Sequence, residues 1–188
     1  MKKIIFMYNN FVKKILTIIL ITNFFSVVSF AQCNFGLNIG DSYPQSFKDK
    51  YGELNIDESL NSYFEKADKI CASNTFEDIQ IKYTFVVGKL GSIEMIALND
   101  DDNIPSNKLI LMNYAKTNYG EFDTGTNPQS FNYYNIWRNN NSEVLYKRLL
   151  GFNNIWDESL YITNKEYRLL ISSIRAFEEG MKEVVQDN

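Results

Sequence analysis

The stretch DIQIKYTFVVGKLGSIEMIALN, residues 78–99, determines how the first half of the chain folds. It contains two runs rich in β-branched and aromatic residues, 79–87 and 92–98. The four residues between them, 88–91, begin and end with glycine, which favours a turn. The pattern therefore predicts a β-hairpin, the basic unit of an antiparallel sheet.

Three more β-like runs follow in the second half of the chain. They are FNYYNIWR (131–138), EVLYKRLLGF (143–152) and SLYIT (159–163). The connecting segments NNNS and NNIWDE are rich in turn-forming residues, so an antiparallel meander is the simplest arrangement of the three.

Two earlier segments have helical spacing. Apolar residues recur at intervals of three and four from 57 to 71, which predicts an amphipathic helix. Residues 106–119 also predict a helix with Ser106 as its N-cap, although the run KLILM within it could equally open a strand.

The clearest helical signal lies at the C-terminus, over residues 164–186. Thr163 and Glu166 have the spacing of a capping box at its start. An apolar stripe runs along it, formed by Leu170, Ile174, Phe177 and Met181. This segment is predicted to be a C-terminal amphipathic helix.

A short internal sequence repeat suggests how the elements are organised. The decapeptides SFKDKYGELN (46–55) and YAKTNYGEFD (114–123) share the pattern K-x-x-Y-G-E. Each predicts a short helix with an inward-facing tyrosine, ended by a glycine in the left-handed conformation. The repeat arises either from duplication of a helix-then-sheet unit or by coincidence in a chain rich in Lys, Asn and Tyr. We predict an α+β fold in which helices pack on one face of antiparallel sheet, with possible units at 38–103 and 106–163.

These residues carry a family resemblance. NIGDSYPQSFKDKYGELN, residues 38–55, resembles the opening of the modules of small outer-membrane assembly lipoproteins. The repeated arrangement of helices and antiparallel sheet, over 38–98 and 106–163, is similar to that of β-lactamase inhibitor proteins. The chain departs from both in its predicted helix at 57–71 and in its terminal helix. The resemblance implies an adhesive scaffold without enzymatic activity.

Residues 1–31 have the pattern of a secretory signal. Four lysines and no acid accompany an apolar run, and Ser29-Phe30-Ala31 is a small-x-small cleavage site. The alternative is an uncleaved anchor, but the run 15–28 is shorter than the roughly 20 residues that span a bilayer. Cleavage after Ala31 leaves a single domain, 32–188, without stable membrane insertion. We therefore expect a bacterial periplasmic or secreted protein.

The cysteines raise the question of a lipid anchor or a disulfide. A lipoprotein signal needs a small residue directly before the cysteine and usually a Leu three before it, and here Gln32 and Phe30 stand there. In an exported chain Cys33 and Cys71 most simply pair, with two free buried thiols as the alternative. By chain entropy, such a bridge would stabilise the fold by about 4 kcal/mol.

Composition restricts the classes of function. Removing residues 1–31 takes four of the 19 basic residues and none of the 23 acidic ones, so the mature chain carries a formal charge of −8. This argues against nucleic acid and anionic membranes as partners. The chain has no histidine, which removes the usual general base and most metal sites, and no cofactor motif occurs, so we expect neither cofactor nor metal.

Acidic residues leave two further alternatives open. Paired carboxylates could serve a hydrolase, with candidates at Asp100, Asp101, Asp102, Asp157 and Glu158. The run NDDDN, residues 99–103, is either a solvated turn or a calcium ligand, but it lacks the spacing and glycine of a calcium loop.

The run FNYYNIWR is the strongest candidate surface. Strand alternation places Phe131, Tyr133 and Trp137 on one face and Tyr134, Ile136 and Arg138 on the other. Both faces carry apolar residues, so both are buried or one binds a partner. Aromatic and arginine side chains dominate binding hot spots, and the predicted contact residues are Tyr134, Trp137 and Arg138.

The sequence thus favours an exported protein that binds another protein without catalysis, as an inhibitor, an immunity factor or an envelope-assembly accessory. A carbohydrate or small-ligand module that uses aromatic residues of the sheet is the second hypothesis. A carboxylate-dependent hydrolase is the third.

Overall fold

The computed structural model describes residues 33–72, 76–99, 109–125, 133–139, 141–151 and 154–186. The chain divides into two compact units, Met1–Phe30 and Ala31–Asn188, and all described residues belong to the second. The predicted signal segment, Ser106, the acidic residues 100–103 and Phe131 lie outside the described residues.

The described part of the chain contains three α-helices and seven strands. The helices are α1 (Gln45–Tyr51), α2 (Ile110–Tyr119) and α3 (Lys165–Gln186). The strands are β1 (Leu60–Lys66), β2 (Ile79–Val86), β3 (Lys89–Ala97), β4 (Thr124–Gly125), β5 (Tyr133–Arg138), β6 (Glu143–Leu150) and β7 (Trp156–Thr163). The prediction of a helix over 106–119 is therefore confirmed from Ile110 onward.

The strands form one seven-stranded antiparallel sheet in the order β1-β2-β3-β7-β6-β5-β4. The predicted meander of the second half is confirmed, because β5 pairs with β6 and β6 with β7. The last strands of the two halves, β3 and β7, pair at the centre, with Ile93 opposite Ile162. The predicted α+β fold with an antiparallel sheet is confirmed.

The hairpin of β2 and β3 turns earlier than predicted. Val86 pairs with Lys89, so the connection is the two-residue turn Val87-Gly88, in which both residues have positive φ. Such turns match the twist of the flanking strands. The register shifts between Thr84 and Phe85, opposite Gly91, so that glycine belongs to a bulge and not to the turn.

The predicted helix over 57–71 is wrong. The segment contains strand β1, followed by a 3-10 turn at Ala67–Lys69. β1 pairs with β2 along its whole length, from Leu60 opposite Val86 to Lys66 opposite Gln80. The spacing of three and four suited a helix, but these seven pairings with a buried neighbour outweigh local amphipathicity.

One face of the sheet, which we call the inner face, is covered by α1 and α2. From α1, the Phe47 ring packs 5.2 Å from the ring of Tyr83 and 5.5 Å from that of Phe85. From α2, Leu111 and Ala115 are fully buried. Strand alternation places the main core of the protein here, including Ile81, Tyr83, Met95, Tyr146 and Leu160. We call the opposite side the outer face.

The repeated K-x-x-Y-G-E pattern has the same structural role in both halves. Gly52 ends α1 and Gly120 ends α2, with φ of 86° and 79°. Their N–H groups donate to the carbonyl oxygens of Lys48 and Lys116, at 2.8 and 2.9 Å. The positive φ is as predicted, although ψ is extended and not left-handed helical. Each half thus begins with a glycine-ended helix and continues into strands.

The Cys33–Cys71 disulfide is formed, as predicted. Its two residues also make an antiparallel bridge, and the Asn34 N–H donates to the Ile70 carbonyl at 3.0 Å. The first described residues are therefore held beside the end of the 3-10 turn.

Helix α3 lies within the predicted range but is capped differently. The Asn164 side-chain oxygen accepts the N–H of Tyr167 at 2.9 Å, so Asn164 is the N-cap. Thr163 ends β7, and its hydroxyl donates to the Gly91 carbonyl at 2.7 Å. The predicted capping box of Thr163 and Glu166 is therefore wrong, because Thr163 is bonded to a neighbouring strand.

The start of α3 packs on the outer face at Gly91. A Cβ atom there would lie 2.7 Å from Cγ2 of Val86 and 3.1 Å from Cδ1 of Ile171, so glycine permits the close approach. Ile171 is buried, whereas the apolar stripe is largely exposed, with Phe177 at 69%. No helix within the described ranges has the length and apolar character needed to cross a bilayer.

Candidate functional site

In strand β5, Trp137 lies on the opposite face from Tyr134 and Arg138, as the sequence predicted. Trp137 lies on the inner face with 4% of its surface exposed, and its indole N–H donates to the Gly120 carbonyl at 2.7 Å. Tyr134 and Arg138 lie on the outer face, where Tyr134 is 43% exposed and Arg138 is exposed too. Trp137 is therefore a core residue that a partner on the outer face would not contact. Tyr134 and Arg138 are accessible.

A groove of about 620 Å³ runs between α3 and the outer face. Apolar parts of its lining come from Ile136, Leu145, Tyr161, Ile171 and Ala176. Charged side chains from β3, β5, β6 and α3 complete it. The groove combines apolar surface with a charged border, which is the general composition of binding sites on proteins.

Glu143 joins three elements at one side of this groove. Its carboxylate accepts a hydrogen bond from the Arg168 Nε of α3, and Arg138 Nε of β5 lies 3.4 Å away. Only 15% of the Glu143 side chain is exposed, whereas about half of each arginine is. Exposed ion pairs of this kind contribute at most about 1 kcal/mol each, so they orient the two arginines more than they stabilise the fold.

Arginine is concentrated at this site. The whole chain has four arginines and 15 lysines, and Arg138, Arg168 and Arg175 all line the groove. The fourth, Arg148, lies on the inner face, 3.9 Å from the Trp156 ring centroid. The guanidinium group, unlike the lysine ammonium, binds a carboxylate through two parallel hydrogen bonds.

Arg175 differs from its two neighbours. Within the described part of the chain, no acidic group lies close enough to form an ion pair with it. Glu179 is one helical turn further along α3 and also lines the groove. Arg175 thus offers an exposed guanidinium beside an apolar surface.

The acidic residues predicted for catalysis are separated. Asp157 and Glu158 are consecutive in β7, so they point to opposite faces of the sheet. Asp157 is exposed and Glu158 is buried. Asp100, Asp101 and Asp102 lie outside the described residues. Among the described side chains, no three Cys, Asp or Glu residues converge as metal ligands would.

The buried carboxylate of Glu158 connects strands β6 and β7 to the segment before α2. Its carboxylate accepts hydrogen bonds from the Tyr146 hydroxyl at 3.0 Å and from the Leu109 N–H at 3.2 Å, before the first turn of α2. Burial raises the pKa of Glu158, while these bonds and the Arg148 charge act in the opposite direction. A raised carboxyl pKa is typical of general acids, but here both carboxylate oxygens accept hydrogen bonds from the protein itself. Glu158 holds the start of α2 to the sheet.

Comparison with known proteins adds one distant likeness. The chain is similar to the crystal structure of a DUF4309 family protein (YjgB) from Bacillus subtilis, with 13% identity and a TM-score of 0.39. The alignment covers 70% of this chain and 84% of that chain. No protein-family model matches, and no curated protein gives a significant match.

Part of this site was predictable from the sequence. Alternation in β5 identified Tyr134 and Arg138, but Arg168, Arg175 and Glu143 were missed. The low number of arginines could have indicated these residues as site candidates. The chain uses lysine nearly four times as often as arginine, and three of its four arginines line the groove.

Proposed function

We propose that the mature chain, residues 32–188, is an exported protein that binds another protein and has no catalytic activity. The contact surface would be the outer face beside α3, with Tyr134 and Arg138 at its border. The role would be that of an inhibitor, an immunity factor or an envelope-assembly accessory. The disulfide supports an oxidising compartment, and cleavage after Ala31 into the periplasm or medium is part of the same proposal.

The observation that carries the proposal is the open outer face. Helix α3 covers the sheet near Gly91 and leaves a groove lined by β5, β6 and β7 accessible. Tyrosine and arginine flank apolar residues there, and this mixture characterises energetically important contacts between proteins.

A small ligand is the second candidate, because the groove volume of about 620 Å³ lies within the range of small-molecule sites. Stacking of a sugar is less well supported. The outer-face tyrosines, Tyr134 and Tyr161, are on β5 and β7 with β6 between them, so their strands are roughly 10 Å apart.

The first test is affinity capture with the mature chain from envelope and culture-supernatant extracts of its own organism. Arg138→Glu should abolish recovery of a stoichiometric protein, because it reverses a charge on the proposed surface. Lys69→Glu, an exposed charge reversal on the 3-10 turn, is the matched control and should bind normally. Equal recovery by wild type and Arg138→Glu would contradict the proposed surface. Failure to capture any protein would favour the ligand hypothesis.

Intact-mass analysis tests the export proposal. The protein recovered from the organism should begin at Gln32 and should be two hydrogen atoms lighter than its reduced form. An acyl group on Cys33, or retention of residues 1–31, would contradict it.

A further inference from the structure

We infer that the groove between α3 and the outer face binds an extended, acidic segment of the partner, and that Arg175 binds one of its carboxylates. This inference rests on the proposed protein-binding function and specifies the chemistry of the partner.

The first support is the local charge. Among the residues that the structure describes, four basic side chains line the groove, Arg138, Lys147, Arg168 and Arg175, against three acidic ones, Glu94, Glu143 and Glu179. The groove therefore has a net positive charge within a mature chain whose formal charge is −8. An acidic segment is repelled by most of this protein and attracted here, so the charge distribution directs it to the groove.

The second support is that the basic side chains of the groove differ in whether they form ion pairs. Glu143 contacts Arg138 and Arg168, and Lys147 lies 3.9 Å from Glu94. Arg175 has no ion pair within the part of the chain that the structure describes. Among the described groove cations Arg175 is thus the one without an ion pair, and its guanidinium is available to a carboxylate from outside.

The third support is the apolar surface beside it. Ile136, Leu145 and Tyr161 come from three adjacent strands, and Ile171 and Ala176 come from the helix opposite. In an extended peptide, side chains alternate, so apolar residues can face this surface while an acidic residue reaches Arg175. Arginine is favoured over lysine at such a position because it can bind the carboxylate with two hydrogen bonds.

Selection from a random dodecapeptide display library on the folded mature chain tests the inference. Wild type should enrich peptides in which Asp or Glu recurs beside apolar residues. The same selection on Arg175→Glu should lose the acidic preference. Enrichment without acidic residues, no enrichment at all, or the same acidic peptides on both proteins would overturn it.

The most enriched peptide then gives a quantitative test by fluorescence anisotropy. Arg175→Glu should weaken binding about tenfold or more, and Arg175→Lys should retain part of it. Glu179→Gln should strengthen binding, because it removes a competing carboxylate one turn away. Lys69→Glu should leave the affinity unchanged. Equal affinity in wild type and Arg175→Glu would contradict the role of Arg175.

The two proposals fail in different ways. If the mature chain captures a partner from the extract and Arg175→Glu captures it equally, the groove inference is wrong and protein binding stands. If neither a partner nor a peptide is recovered, both proposals fail.

Discussion

Val87 occupies the first position of the β2–β3 turn with φ of 48° and with 81% of its surface exposed. A β-branched residue is disfavoured in this conformation, since its Cβ substituents crowd the backbone. Two-residue turns of this type prefer Asn followed by Gly. Val87 therefore strains the turn without gaining burial.

Val87→Asn should stabilise the protein by about 1 kcal/mol, since Asn tolerates positive φ and no buried contact is lost. The melting temperature should rise by about 2–4 °C. Val87→Ile, which keeps the β-branch, is the control and should not stabilise. A melting temperature for Val87→Asn at or below that of wild type would contradict the strain.

The raised pKa of Glu158 predicts that the stability of the protein depends on pH. Because burial raises its pKa in the folded state, the folded protein favours the protonated carboxyl, and ionisation above that pKa costs stability. Wild type should therefore lose stability relative to Glu158→Gln as pH rises from 4 to 8. Urea unfolding of both proteins across this range measures the difference. A relative gain by wild type with rising pH would contradict the assignment.

At the scale of elements, sequence patterns succeeded where local and tertiary preferences agree. The β2–β3 hairpin was predicted from two β-rich runs around a glycine-bounded turn, and α2 was the helical alternative for a segment that could also have opened a strand. The segment 57–71 failed because its spacing suits a helix, while pairing with β2 requires a strand. No local pattern in the sequence shows which element will pair with which neighbour.

The cap of α3 separates two interpretations of the same sequence. Asn164→Ala should destabilise the protein by about 1 kcal/mol, because it removes the acceptor for the Tyr167 N–H. Glu166→Ala should cost only a few tenths, since Glu166 contributes only favourable charge at the helix start. Denaturant midpoints of the two variants measure this. A larger loss in Glu166→Ala would restore the capping box.

At the scale of the whole molecule, the two halves meet through β3 and β7. Among the described residues, each half has a helix ended by glycine that is followed by strands, three in the first half and four in the second. The groove forms because α3 packs on the outer face of this sheet and leaves part of that face uncovered. Alternation could predict Arg138, but the place of Arg175 depends on the close approach at Gly91, which periodicity does not encode.

The disulfide links residues 38 apart in the sequence, so it restricts a long loop of the unfolded chain. Cys71→Ser should lower stability by about 4 kcal/mol on the chain-entropy model, with a fall of roughly 10 °C in melting temperature. The double variant Cys33→Ser, Cys71→Ser should match it, since the bridge acts as one cross-link. An unchanged melting temperature would contradict this contribution.

A protein partner bound to the outer face beside α3 would protect that surface from solvent. Hydrogen–deuterium exchange of the mature chain with its captured partner tests it most directly. We expect slower exchange in β5, β6, β7 and α3, with α1 unchanged. Slower exchange confined to α1 and α2, or no change anywhere at saturating partner, would contradict it.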